Sequence, residues 1–260
     1  MLFQKWGFEL KPFGTVHIIG IITALLSVIL AIVIAKKYKD RESDRVYGIA
    51  GLLLIMLEVF KVFFNFKVYG SFSLERIPFQ ICTLELFFLW AVPFVKNKFI
   101  KDMMISFCLI GLYGASFYYV NPTSVFNSEY VFLAVQAIVW HDIVIFIGIF
   151  TLIKYQVYRF SSIRFVLRGW LLWIIASLAA VLLNCLFIDT EINFFYLSSK
   201  QTSIPYIGLN WIFKRPEPYL LFILGYIIYF SLGLFIVFGL IILIGEWLSK
   251  RQQKGSLDKV

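Results

Sequence analysis

RIPFQICTLELFFLWAVPFV, residues 76–95, is the stretch on which the fold turns. Most of it is apolar enough for a membrane span, yet its first third carries Gln80, Cys82, Thr83 and Glu85. The rest of the chain gives the context. Its 260 residues are 61% hydrophobic and 19% aromatic but only 15% charged, too little polar surface for a soluble domain of this length. Several runs near twenty residues hold little or no charge, about the length a helix needs to cross ~30 Å of hydrocarbon. No series of ten-residue alternating strands appears, which argues against an outer-membrane barrel. The expected fold is all-α: a polytopic bundle forming a single transmembrane domain over residues 1–260. About seven spans are expected, at 15–35, 48–67, 77–95, 102–120, 131–153, 169–188 and 219–245. The first has no basic region before it and no small-residue cleavage site after it, so it reads as a retained helix rather than a secretory signal.

A net charge of +9 is compatible with nucleic-acid binding until the charges are placed. Sixteen of the 24 basic residues fall in alternate connections and the C-terminal tail, seven on the other side, and Lys61 within a span. That bias is membrane topology, and it puts the N-terminus outside and the C-terminus in the cytoplasm. No nucleic-acid motif is present. The three cysteines, Cys82, Cys108 and Cys185, all lie in expected spans without a CxxC, so no disulfide framework is indicated. The longest connection, 189–218, mixes Phe, Tyr, Trp and Ile with polar residues and reads as an interfacial or re-entrant loop on the outer side, or as an ordinary membrane-hugging loop.

Ionisable groups inside spans cost a few kcal/mol each, so they face the bundle interior and often mark function. Here they are His17, Glu58, Lys61, Cys82, Glu85, His141 and Asp142, joined by the amides of Gln80, Gln136 and Asn184. Glu58 and Lys61, three apart on one helix face, read as a structural ion pair. Cys108 and Cys185 read as small hydrophobes, and the amides have a competing use as interhelical glue. His17, Cys82, His141 and Asn184, from four spans, converge on the outer half. A neutral imidazole can take a proton from a thiol, and the thiolate is the nucleophile, so Cys82 and His141 form a candidate catalytic pair. Asp142 points about 100° away from its neighbour on a helix, which makes Gln136, Glu85, Glu58 or Asn184 better placed to orient the imidazole. Buried structural polarity is the competing reading of the whole set.

FGTVHIIGII, IPFQICTLEL, FLAVQAIVWHDIVIF and VLLNCLFIDTEINFFYL occur in this order. Together they resemble the YwaF-type bacterial integral membrane proteins, relatives of the eukaryotic transmembrane protein 164, which moves acyl chains between phospholipids. The resemblance implies a multi-pass protein of the bacterial plasma membrane. It implies that Cys82 carries an acyl group, that His17, His141 and Asn184 are site residues, and that Asn193 and Tyr196 belong to an Asn-aromatic pattern beyond the sixth span. More distant six-span lipid hydrolases pair threonine with histidine, which keeps Thr83 beside Cys82 as an alternative nucleophile. The segment 197–218 is longer than the family's usual approach to the last span.

The expected function is therefore lipid acyl transfer through a thioester on Cys82, with His141 as base and then acid. Gln80, Asn184 or Asn193 would serve the oxyanion, and His17 would bind a phosphate or orient His141. Ester hydrolysis at the same site, a transporter and a structural subunit are the alternatives. His17, Cys82, Glu85 and His141 are acceptable metal ligands but form no clustered motif, so neither a metal nor another cofactor is expected. The expected partner is a membrane lipid.

Overall fold

The computed structural model describes residues 14–38, 40–70, 79–81, 83–120, 130–190, 192–199 and 218–257, with the side chains of 40–42 and 252–257 excepted. Among them the secondary structure is helical: α1 (Thr15–Lys37), α2 (Asp40–Tyr69), α3 (Glu85–Ala91), α4 (Lys98–Val120), α5 (Val131–Lys154), α6 (Ile163–Leu186) and α7 (Tyr219–Leu257). Short 3-10 turns at Val92–Phe94, Phe160–Ser162 and Phe194–Tyr196 punctuate the chain. Six helices are long and apolar enough to cross a membrane, and Glu85–Phe94 is a shorter apolar helix. The chain is a polytopic helical membrane bundle.

Contacts between helices fix their directions. Tyr47 donates to Thr151 near one end of the α2–α5 pair, and Phe64 stacks on Phe132 near the other. Lys154 donates to the Tyr38 carbonyl, which ties the end of α5 to the end of α1. Arg168 pairs with Asp102 and Lys101 with Asp44, joining α4 to α6 and α2 at the same end. That basic end thus holds the C-termini of α1 and α5 and the N-termini of α2 and α4. The opposite end holds Thr15, Tyr69, Val120, Val131, Leu186 and Tyr219. α4 is the inner helix, with 56% of its most apolar window buried against 22% for α1 and for α7. Aromatic packing of Trp173 on Phe230 and of Tyr113 on Phe230 holds α7 to α6 and α4.

The third expected span differs from its reading as one helix over 77–95. Helix begins only at Glu85; Phe79–Ile81 and Thr83–Leu84 form bends and turns. The physical reason lies in how the backbone is satisfied. The Gln80 carbonyl accepts from Thr83 N–H and Leu84 N–H, and the Thr83 hydroxyl accepts from Gln80 N–H at 2.8 Å while donating to Gln80 O at 3.0 Å. Such local side-chain bonds compete with helix. α3 then runs down α2 so closely that Gly51 has no room for a Cβ against the Trp90 backbone. Non-helical backbone at membrane depth is tolerated where protein buries it; here Ile81 and Leu84 are buried and Phe79, Gln80 and Thr83 half-buried.

The charge bias carries its own test of orientation. Single cysteines at position 127 and at position 159, in a cysteine-free background, should react from opposite faces of intact cells with an impermeant reagent, 127 from outside. Labelling of both from one face would overturn the assignment.

Candidate functional site

Two groups of polar side chains form at the end opposite the basic residues. The first surrounds residues 192–198. Asn184, near the end of α6, donates to Phe194 O and accepts from Phe194 N–H, both at 2.9 Å. Gln80 donates to Asn193 O at 2.8 Å and accepts from Phe195 N–H at 2.9 Å. The side-chain Oδ1 of Asn193 accepts from Ser198 N–H, and Tyr219 of α7 donates to Leu197 O at 2.6 Å. The clamped backbone is strained: Phe195 and Tyr196 have φ of 56° and 59°. A left-handed conformation costs a residue with a side chain roughly 1–2 kcal/mol. Phe195 is fully buried, and Phe79 packs on both Phe194 and Phe195. Four side chains from three separate parts of the chain thus hold a turn that the sequence 193–196 would not adopt alone.

Asn184 is 3% exposed, so Asn184→Ala would leave two buried backbone groups of Phe194 unpaired. Each such group costs ~1–3 kcal/mol, tempered in membranes where replacement partners exist. A stability loss of about 2 kcal/mol is expected in denaturant titration, against under ~0.5 kcal/mol for Cys185→Ala at the exposed neighbouring position. Equal stability of the two variants would remove the clamp role.

The second group joins α1, α4 and α5. His141 Nδ1 lies 2.7 Å from Ala137 O, one turn earlier on α5. A carbonyl only accepts, so Nδ1 carries the proton and the lone pair of the neutral ring sits on Nε2. Tyr118 stacks on the imidazole at 3.8 Å between centroids. Its neighbour Tyr119 donates to Asp142 Oδ1 at 2.6 Å and offers its own carbonyl to His17 Nε2 at 2.9 Å. Consecutive tyrosines thus bridge both histidines: one face of the pair meets His141, the other Asp142 and His17. The imidazole is oriented by a backbone carbonyl, and Asp142 is bonded to Tyr119.

The remaining site residues lie apart. Glu85 is completely buried at the start of α3, with its carboxyl filling the space where a Cβ on Gly111 would stand. Neither of its oxygens meets a hydrogen-bond partner among the described residues. Gln136 is buried on α5. Glu58 and Lys61 form an ion pair at 2.7 Å. Cys82 lies outside the described residues, as does 200–217 of the long connection. The hydroxyl of Thr83 is engaged on both sides by the Gln80 backbone. Tyr118 and Tyr119 went unmarked by sequence reasoning, because two tyrosines at a helix end are indistinguishable from interfacial anchors.

The model of the TMEM164 family matches residues 12–244, which takes in α1 to α6, most of α7 and both polar groups. The chain belongs to the TMEM164 family. No curated protein and no solved structure matches it. Membership covers the helical framework from α1 into α7, so the clamp on 192–198 and the tyrosine bridge both lie within the family region of this TMEM164-family protein.

Proposed function

We propose that this TMEM164-family protein transfers acyl groups between membrane lipids through Cys82 and His141. The observation that carries the reading is the state of His141. Its Nδ1–H is committed to Ala137 O, which leaves Nε2 as a proton acceptor inside a bundle. His141 is ten residues into α5, roughly 15 Å from the helix start at 1.5 Å per residue. Family membership and the resemblance to transmembrane protein 164 support Cys82 as its partner.

In the proposed cycle His141 Nε2 takes the Cys82 thiol proton, and the thiolate attacks an ester carbonyl carbon. The tetrahedral intermediate collapses with cleavage of the ester C–O bond, and His141 returns the proton to the departing alkoxide. A second lipid hydroxyl then loses its proton to His141 and attacks the thioester. The C–S bond breaks and Cys82 is reprotonated. Each amide nitrogen of Gln80 and Asn184 carries two N–H groups, and the described bonds use one of each, so the second can serve the oxyanion. His17 and Tyr118 would position His141. Asn193, Tyr196 and the strained turn to which they belong would shape the lipid side of the site. Glu85 and Gln136 contribute buried polarity from α3 and α5. The test is whether purified protein carries a hydroxylamine-labile fatty acyl group on Cys82. Absence of the adduct under turnover with phospholipid would overturn the reading.

A further inference from the structure

α1 and α2 both lean on α5 and leave between them a cavity of about 440 Å³. Its walls are Leu30 and Ile34 of α1, Ile49 and Leu53 of α2, and Ile143 and Phe146 of α5. Leu30, Ile49 and Leu53 are each about half exposed, so the cavity opens sideways into the surroundings of the bundle. It extends from Tyr38 and Val46 at the basic end to Asp142. Asp142 and Lys154 are twelve residues apart on α5, roughly 18 Å at 1.5 Å per residue. That span is close to the depth of one leaflet, half of a ~30 Å hydrocarbon core. Asp142, the one ionisable side chain among the lining apart from Tyr38, stands at the inner limit with its carboxylate bonded to Tyr119.

The mouth is cationic. Lys36 and Lys37 end α1, and Arg45 lies one residue before Val46 on the cavity wall; all three are exposed. Lys154 reaches the Tyr38 carbonyl at the same end. The stretch 36–45 carries five basic and three acidic residues, and of the acids Asp44 is taken by Lys101. An apolar slot one leaflet deep, with a positive rim at the end where headgroups lie, is complementary to one chain and the phosphate of an anionic lipid.

We infer that the α1–α2–α5 groove is a binding site for an anionic phospholipid of the leaflet at the basic end, with one acyl chain in the slot and its headgroup between Lys36, Lys37 and Arg45. The groove meets the polar group of α1, α4 and α5 only at Asp142: its wall on α5 is Val139, Asp142, Ile143 and Phe146, whereas His141 is turned onto Tyr118.

The experiment uses delipidated full chain in maltoside detergent, titrated with phosphatidylglycerol or phosphatidylcholine of identical chains, with the thermal unfolding midpoint as readout. At low salt phosphatidylglycerol should half-saturate at a concentration at least ~10-fold lower than phosphatidylcholine, and the gap should narrow in 1 M salt. Leu53→Trp or Ile49→Trp, each filling the slot from a half-exposed position, should abolish the increment from both lipids. Leu25→Trp, on the lipid-facing side of α1 and outside the lining, should leave it intact. The triple variant Lys36→Gln/Lys37→Gln/Arg45→Gln should keep the phosphatidylcholine response and lose the preference. Equal wild-type response to the two lipids, or an undiminished preference in the triple variant, overturns the inference. Because that variant changes only exposed residues, it decides the matter even where neither slot-filling variant folds.

Discussion

Cys82→Ala is expected to eliminate covalent acylation, with the hydroxylamine-labile adduct falling to background, while Cys108→Ala and Cys185→Ala retain it. The contrast rests on surroundings. Cys108 is fully buried in α4, with its thiol bonded to Thr151, and Cys185 is exposed on the flank of α6. Cys82 stands in sequence between Ile81 and Thr83, both of which lie in turns rather than in helix. Thiol reactivity follows access and an adjacent base rather than the mere presence of sulfur. Full lipid remodelling by Cys82→Ala would transfer the nucleophile role to Thr83, whose hydroxyl would then have to leave its bonds with Gln80. Equal loss in all three variants would instead indicate failure to fold, so the yield of folded protein must accompany each activity.

His141→Ala should slow acylation by at least ~100-fold, the low end for a positioned general base, or about 2.7 kcal/mol of transition-state stabilisation. Combined with Cys82→Ala it should add little, because members of one catalytic unit are not additive. A purely structural His141 predicts a different pattern. Losing the Tyr118 stack and the bond to Ala137 would lower the yield and the melting temperature, while molecules that did fold would acylate normally. The measurement that separates the two is single-turnover acylation per folded molecule, taken beside thermal stability. A stable His141→Ala protein acylating at the wild-type rate would sink the Cys–His mechanism.

Much of the architecture was legible in the sequence because hydropathy is a local property. The long runs of α1, α2, α4, α5, α6 and α7 exceed what a membrane crossing needs; α1 and α5 end close to expectation, whereas α2 starts eight residues before 48, α6 six before 169, and α7 runs twelve beyond 245. The ion pair of Glu58 with Lys61 was equally legible, since three residues along a helix bring two side chains together wherever that helix packs. The polar residues stood out individually, because ionisable groups are rare in such runs.

Partnership was another matter. The sequence by itself determined that this chain lies in a membrane as a helical bundle, and which few polar side chains it carries there. Only the tertiary structure decided where those side chains turn. Gln80 and Asn193 are 113 residues apart, and their hydrogen bond exists because α6 delivers residues 192–198 to the broken start of the third apolar segment. An amide costs the same hydropathy whether it bonds a neighbouring helix, an oxyanion or a strained turn, so no local pattern separates these uses. The same holds for His141. Its lone pair is directed by a carbonyl on its own helix, which any helix supplies, but the ring is held in place by Tyr118 from α4. Periodicity records which face of a helix is buried; it does not record what lies across the interface, because that is fixed by packing between segments distant in the chain.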